Sequence, residues 1–310
     1  MRNGTIKPMH NPSLRGILYL CIGVLVFSTQ DAIIKQVSGG YPLTEVVCMR
    51  SCVGLPILWA LMQKEAGWQS MLWVHRGPLA LRGLIMLGSY GAYYLAFPAL
   101  PLADAVALYF TVPLFVTALA GPVLGEHVGW KVWAAVVLGF CGVLVMLQPG
   151  SGLFEPAALL SLLAASLYGV AMLMARKFGN QLPTAVMAFY QNGFFLVGPA
   201  LIAAGLHLAG IERASHPSLL FLVRPWVMPT VPDTLLIGLC GLVAAAGTML
   251  LTAAYRVAKS STVTPFEYTG ILWAPLWGFL FFAEVPKLST FAGAAIIGVA
   301  GLIAMRLSNK

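Results

Sequence analysis

Three ionisable residues sit inside apolar runs long enough to cross a bilayer: Asp31, Arg50 and Glu267. A charge at mid-membrane costs roughly 2.5–3.5 kcal/mol even on insertion scales, so such side chains face protein or water rather than lipid. Asp31 lies about six residues, and Arg50 about seven, from the same end of their respective runs. At ~1.5 Å per residue both are ~10 Å deep on one side. One reading is an Asp31–Arg50 pair lining a cavity, able to hold a charged ligand or exchange a proton. The alternatives are a fixed structural salt bridge, or Asp31 pairing with Lys35 one turn along its own helix.

Glu267 belongs to the run Thr264-Pro-Phe-Glu-Tyr-Thr-Gly270. Pro265 frees a backbone carbonyl and bends the helix, and Gly270 permits close approach of a neighbour. The carboxylate therefore reads as cavity-lining, with a structural hydrogen bond or an interfacial position as the alternative. Tyr190, Gln191 and Asn192 are consecutive and spread around their helix, so only one or two can face a cavity while the rest bond neighbouring helices. Tyr90, Tyr93, Tyr94, Tyr268 and Trp273 supply rings with polar tips, suited to a planar or cationic ligand or, for any single ring, to ordinary packing. The residues expected to line a central cavity are Asp31, Arg50, Tyr109, Gln191, Glu267 and Trp273.

The elements that position these groups follow from hydropathy. The chain of 310 residues is 59% hydrophobic and 9% charged, with a mean hydropathy of +0.87; soluble proteins carry roughly 25% charged residues. About 20 apolar residues span a bilayer core, which predicts ten spans, near 15–37, 43–63, 78–97, 102–124, 129–147, 156–175, 184–208, 234–255, 261–282 and 288–307. The basic start of the chain resembles a signal peptide. Its apolar run, however, continues past Gln30 and Asp31 to Val37 without a small-residue cleavage pattern, so it is read as a retained first span. A longer loop, Ile211 to Asp233, holds Pro217, Pro225, Pro229 and Pro232 and is expected along a membrane surface, with Phe221 and Trp226 at the interface. With the N-terminus inside, thirteen of the eighteen Lys and Arg fall on the cytoplasmic side, four outside, and Arg50 within a span. That bias predicts N-in and C-in.

The spans divide as five plus five. Thr111 to Glu126 (TVPLFVTALAGPVLGE) is echoed at Thr269 to Glu284 (TGILWAPLWGFLFFAE), 158 residues later. Gly139, Gly142 and Met146 are answered by Gly298, Gly301 and Met305, and Phe27–Gln36 more weakly by Tyr168–Lys177. An odd number of spans per copy forces the copies to lie inverted, a known route to alternating access. The predicted fold class is therefore an all-α membrane protein of ten transmembrane helices in two inverted five-helix repeats, 15–147 and 156–307, hinged near Gly150 to Pro156. At the same 158-residue offset, Glu267 corresponds to Tyr109, which would set these two across the midplane. Glu126 and Glu284 recur at helix ends before tight turns. They read as caps of the helix that follows each, and Asp104 as a similar cap.

Several functions are excluded or disfavoured by what the chain carries. Its basic residues form no stripe interleaved with exposed aromatics, which argues against nucleic acid. Cys21, Cys48, Cys52, Cys141 and Cys240 all fall in apolar segments and read as packing residues, not as disulfides or metal ligands. No His-Glu-x-x-His and no Gly-x-x-x-x-Gly-Lys-Ser/Thr occurs, so neither an intramembrane metalloprotease nor an ATP-driven pump is expected. No cofactor is expected. A non-transporting receptor or scaffold remains the alternative class.

The Pro-containing fourth span ending in Gly-Glu, and the late run PFEYTGILWAPLWGFLFFAEVP (Pro265 to Pro286), resemble the drug/metabolite transporter superfamily, EamA branch. The resemblance covers essentially the whole chain. It implies an inverted-repeat fold with a central cavity lined by spans one to four and six to nine, and spans five and ten peripheral. Glu45-Val-Val-Cys-Met-Arg50 and Pro265-Phe-Glu-Tyr268 are similar to members that import riboflavin or S-adenosylmethionine, while other members export amino acids and their relatives. The expectation is a secondary transporter of a small polar metabolite in the inner (cytoplasmic) membrane, driven by an ion gradient or by the substrate's own. Arg50 would hold a carboxylate or phosphate-like group, Glu267 or Asp31 an amine or proton, and the aromatics a ring. The expected partners are that substrate and the lipid bilayer, with a homodimer left open.

Overall fold

A computed structural model describes residues 12–67, 76–112, 114–116, 118–119, 129–148, 155–178, 183–257 and 264–308. The basic N-terminal segment, Glu126 and most of the expected hinge lie outside the described residues. Among the described residues helix is the only regular secondary structure, without strands. The helices are α1 (Pro12–Val37), α2 (Leu43–Ala66), α3 (Arg76–Leu95), α4 (Leu102–Tyr109), α5 (Trp130–Leu147), α6 (Ala158–Phe178), α7 (Thr184–Leu208), α8 (Pro217–Val223), α9 (Val231–Val257), α10 (Gly270–Phe282) and α11 (Leu288–Ser308), with a 3₁₀ turn at Thr264–Thr269 before α10. Prolines mark several starts, at Pro42, Pro101 and Pro183 as N-caps and Pro217 inside the first turn of α8, where a missing N–H leaves no bond unmade.

Among the described residues, five helices are long and apolar enough to cross a membrane: Leu14–Val37, Leu43–Glu65, Trp130–Leu147, Ala185–Leu208 and Val231–Leu251. Ala158–Met174 and Leu288–Ile303 are shorter apolar helices. The exterior is apolar as well. Trp130, Leu208, Leu272 and Leu288 are each more than two-thirds exposed, a pattern suited to lipid and unfavourable in water. The fourth run does not form one continuous helix, because α4 closes at Tyr109 and Phe110 leaves helical geometry (ψ 5°) before helix resumes.

The helices pair in a definite order. α1 packs along α9 and α10, α2 along α7 and α9, α3 along α6 and α7, α4 against α6 and α10, and α5 along α11. Glycines allow the closest crossings. Gly142 on α5 and Gly293 on α11 face each other so tightly that a Cβ on either would lie 2.9 or 2.7 Å from the other's carbonyl oxygen. On α9, a Cβ on Gly241 would collide with the Arg50 carbonyl oxygen. The repeated glycines serve the same purpose elsewhere: Gly139 receives the Leu114 side chain and Gly301 the Tyr268 hydroxyl. Small residues thus set backbone-to-backbone contact where lipid supplies no hydrophobic drive between helices.

The long loop is partly folded into the bundle. It contains α8, and Phe221 is 1% exposed in the core, not at the interface, whereas Trp226 is 45% exposed. The remainder is strapped over the α1–α2 turn. Arg224 donates to the Gly39 carbonyl at 2.7 Å, Trp226 Nε1 to Thr44 Oγ1 at 2.9 Å, and the Val227 N–H to a Glu45 carboxylate oxygen at 3.0 Å. Tyr41 donates to Asp233 at 2.6 Å. Polar bonds, not apolar burial alone, hold this segment.

Glu284 caps a helix, but not the one that follows it. Left-handed Ala283 (φ 53°) ends α10, and the Glu284 N–H donates back to the Gly278 carbonyl at 3.1 Å, a Schellman-type close. The chain reversal brings the carboxylate to α4, whose N-cap Pro101 has no side-chain acceptor; there Glu284 accepts from the Leu102 N–H at 2.8 Å. Its other oxygen pairs with Lys35 at 2.6 Å, and Lys35 also donates to the Leu100 carbonyl at 2.6 Å. Lys35 is thereby committed away from Asp31. Asp104 accepts from the Thr290 hydroxyl, joining the N-terminal turns of α4 and α11 instead of capping its own helix.

Gly241→Ala places a methyl against the α2 backbone and is expected to destabilise the protein by roughly 1–3 kcal/mol. Gly238→Ala, where a Cβ meets nothing within 4 Å, should be neutral or slightly stabilising. Thermal melting of the two purified variants in detergent checks the contrast.

Candidate functional site

The candidate site begins with the spacing of one aromatic face. Tyr90, Tyr93 and Tyr94 fall at intervals of three and one along α3, which places all three on one side of the helix, and Phe97 follows in the turn just beyond it. Their rings interlock, with centroids 4.3 Å apart for Tyr90–Tyr94, 5.0 Å for Tyr93–Tyr94 and 4.9 Å for both Tyr93–Phe97 and Tyr94–Phe97. The hydroxyls of this face meet α1 where Gln30 and Asp31 are adjacent. Neighbours on a helix diverge by about 100°, so the two side chains take different parts of the tyrosine face.

Asp31 accepts from the Tyr94 hydroxyl at 2.7 Å and from the Tyr93 hydroxyl at 3.0 Å. Among the described residues no cation pairs with it. Gln30, fully buried, donates from Nε2 to the hydroxyl oxygens of Tyr94 (2.9 Å) and Tyr90 (3.3 Å). Its Oε1 accepts from Arg50 Nη1 at 3.2 Å. Arg50, 3% exposed, lies over the Tyr90 ring at 4.1 Å and the Phe195 ring at 5.3 Å, and its buried Nε has no hydrogen-bond partner. Cation–π contact is worth about 0.5–2 kcal/mol, more when desolvated. The structure therefore brings Asp31 and Arg50 to one site but does not pair them. The expected ion pair is replaced by a chain, because Gln30 and Tyr94 occupy the space between the charges.

The aromatic wall continues across the bundle. The Tyr93 and Tyr109 rings are 4.5 Å apart, and those of Tyr109 and Tyr168 on α6 5.7 Å apart. Glu267 sits on the 3₁₀ turn, not in a regular helix, and its carboxylate is within electrostatic reach of Tyr109, Tyr168 and Tyr268. Pro265 and the break before Gly270 explain the turn. Tyr93, Tyr109 and Tyr168 form a ladder of rings that starts beside Asp31, and Glu267 lies within electrostatic reach of its two far rings.

Gln191 joins a different set. It accepts from Arg82 Nη1 at 3.2 Å, and Arg82 Nε donates to the Ala171 carbonyl at 3.3 Å. Asn192 turns away and donates to the Ser51 carbonyl at 3.0 Å. Trp273, on α10, has a buried indole N–H without a partner, and no ring contact or hydrogen bond ties it to the tyrosine ladder among the described residues. Sequence reasoning overlooked Gln30, Tyr168 and Arg82. Gln30 gave a usable signal, as a polar residue beside Asp31 in an apolar run. Arg82 did not, because its run ends close by and it reads as a flanking charge.

Comparison with known proteins identifies the family. Residues 14–148 match the model of the EamA-like transporter family. A riboflavin transporter of Rhizobium johnstonii is 33% identical over 225 residues, covering 72% of this chain and 68% of that protein. The chain belongs to the EamA-like transporter family. The pseudopaline exporter CntI of Pseudomonas aeruginosa is 28% identical over 95% of this chain and 97% of its own. An S-adenosylmethionine uptake transporter of Rickettsia prowazekii is 26% identical over 96% and 94%. One crystal structure shares the fold at a TM-score of 0.61 and 19% identity, over 95% of this chain and 97% of that one. This EamA-like protein is a multi-pass inner-membrane transporter of small metabolites.

Tyr94 serves two bonds, as donor to Asp31 and acceptor from Gln30. Tyr94→Phe in this transporter is expected to cost about 1–3 kcal/mol, the range for leaving a buried polar group unsatisfied. Tyr93→Phe, which loses one bond, should cost less. Melting temperatures of the two variants in detergent give the comparison.

Proposed function

We propose that this chain is a secondary importer of a small polar metabolite that combines a ring with charge, in the class of S-adenosylmethionine and riboflavin, and that the packed tyrosine cluster around Asp31 opens into the chamber where it binds. One observation carries the reading: the Asp31 carboxylate is held by two tyrosine hydroxyls, and among the described residues no cation pairs with it. Intramembrane carboxylates that lack a cation characteristically mark substrate or ion pathways. The rings of Tyr93, Tyr109 and Tyr168 offer stacking surface for a planar group. Glu267, at the other end of the ladder, offers a second carboxylate for an amine or a proton. The named activities of the riboflavin and S-adenosylmethionine relatives favour the same substrate class.

The architecture we propose to carry this activity is ten spans in two inverted halves, N-in and C-in. The helix pairings support it. If α1, α2, α3, α4 and α5 correspond to α6, α7, α9, α10 and α11, then α1–α9 exchanges with α3–α6, α1–α10 with α4–α6, and α2–α9 with α3–α7. The pairs α2–α7, α4–α10 and α5–α11 map onto themselves. Such a pattern fits two halves related by a two-fold axis, with Tyr109 and Glu267 close to it and substrate held between rocking repeats.

The test is flux. The purified protein, reconstituted in liposomes, is offered radiolabelled S-adenosylmethionine, riboflavin and amino acids, with and without a proton gradient. Accumulation or exchange of at least one ring-bearing substrate is expected, with flux lowered at least tenfold by Arg50→Ala and by Glu267→Gln. Movement of amino acids alone, or only outward, favours an amino-acid exporter. Wild-type flux in both variants removes the chamber as the binding site.

A further inference from the structure

The hydrogen-bond chain between Arg50 and Asp31 has a direction. Arg50 Nη1 donates to Gln30 Oε1, Gln30 Nε2 donates to the Tyr94 oxygen, and the Tyr94 hydroxyl donates to Asp31. Each donor points from the cation toward the anion. The Gln30 amide, with its separate acceptor oxygen and donor nitrogen, accepts from the guanidinium and donates to the phenol at once. A carboxylate there would pair with Arg50 directly and lose its donors. An apolar side chain would break both links and open the space between the charges.

From this geometry we infer that Gln30 is a charge separator: it keeps Asp31 and Arg50 from collapsing into an ion pair, so that both remain addressable by a substrate bearing charges of both signs. The inference rests on the chamber being the transport site. Left to themselves, opposite charges in a low-dielectric interior attract strongly, and a direct pair would silence both. Gln30 instead gives Arg50 a neutral acceptor and orients the Tyr94 hydroxyl toward Asp31. Two further features fit. Arg50 keeps an unpartnered, buried Nε, and its guanidinium is balanced by the Tyr90 ring instead of an anion. A substrate cation engages Asp31 by displacing a tyrosine hydroxyl, and the same chain reports that event to Arg50. Gln30 is thus a positioning residue that acts through both charges.

The decisive measurement needs no substrate. Asp31→Asn, Arg50→Gln and the double variant are melted in detergent as full-length protein, in the wild-type background and with Gln30→Leu. Non-additivity of the two substitutions measures their direct coupling. The expected result is a non-additive shift of roughly 3 °C or more with Gln30→Leu and less than half of that with Gln30 present. Equal coupling in the two backgrounds overturns the inference. Gln30→Met takes the place of Gln30→Leu if the latter does not fold. In Gln30→Glu, which still holds Arg50, the coupling should stay low; a purely structural role predicts that Glu and Leu behave alike. In liposomes, Gln30→Leu should raise KM for S-adenosylmethionine at least tenfold with a smaller change in kcat, and an unchanged KM counts against the separator. If the wild type carries none of the probes, the transport reading fails, while the melting cycle still decides the role of Gln30.

Discussion

A charged side chain in a bilayer must find its partner inside the protein, and in this chain that constraint falls on Asp31 and Arg50. Water is not there to solvate them and lipid cannot, so the neighbouring helices are arranged around their needs. α3 turns a face of three tyrosines toward α1. α7 contributes the Phe195 ring beneath the guanidinium. α9 crosses α2 at the level of Arg50, with glycine at the contact. The central part of the bundle follows from satisfying two charges without letting them cancel.

Satisfaction by neutral partners leaves those charges usable. A salt bridge would have been the simpler solution, and burying such pairs often brings little net stability. Here the carboxylate takes two hydroxyl bonds, at 2.7 and 3.0 Å, and the guanidinium takes an amide and a ring. The same side chains that stabilise the fold therefore prepare the site. The direct ion pair is used elsewhere, where Lys35 meets Glu284. That pair bonds the α4 N-terminus and the end of α10 to α1, and it belongs to the framework.

The repeat explains which acids are framework and which are not. Glu284, which recurs as Glu126, serves a helix terminus. Glu267, whose counterpart at the 158-residue offset is Tyr109, lies within electrostatic reach of that tyrosine. A residue that recurs in both copies of the sequence echo needs no more than a shared structural duty to account for it.

Much of this was legible in the sequence, because a bilayer imposes simple rules on composition. Apolar run length predicted the helices, and isolated charges flagged Asp31, Arg50 and Glu267. Family membership was readable from the Pro265–Pro286 run. Partners were not readable. The helical positions of Asp31, Arg50 and Lys35 allow either an Asp31–Arg50 or an Asp31–Lys35 pair, and spacing along single helices cannot tell that Gln30 and Tyr94 stand between the first two while Glu284 captures the third. Nor could it send Gln191 to Arg82, fold Phe221 into the core, or turn the Glu284 carboxylate to α4. Those outcomes depend on rotation and crossing of helices distant in sequence, decided by backbone approach at glycines and by competition among polar groups for a few buried acceptors. The sequence determined that charges would lie in the membrane; only the packed bundle decided that the central two would be kept apart.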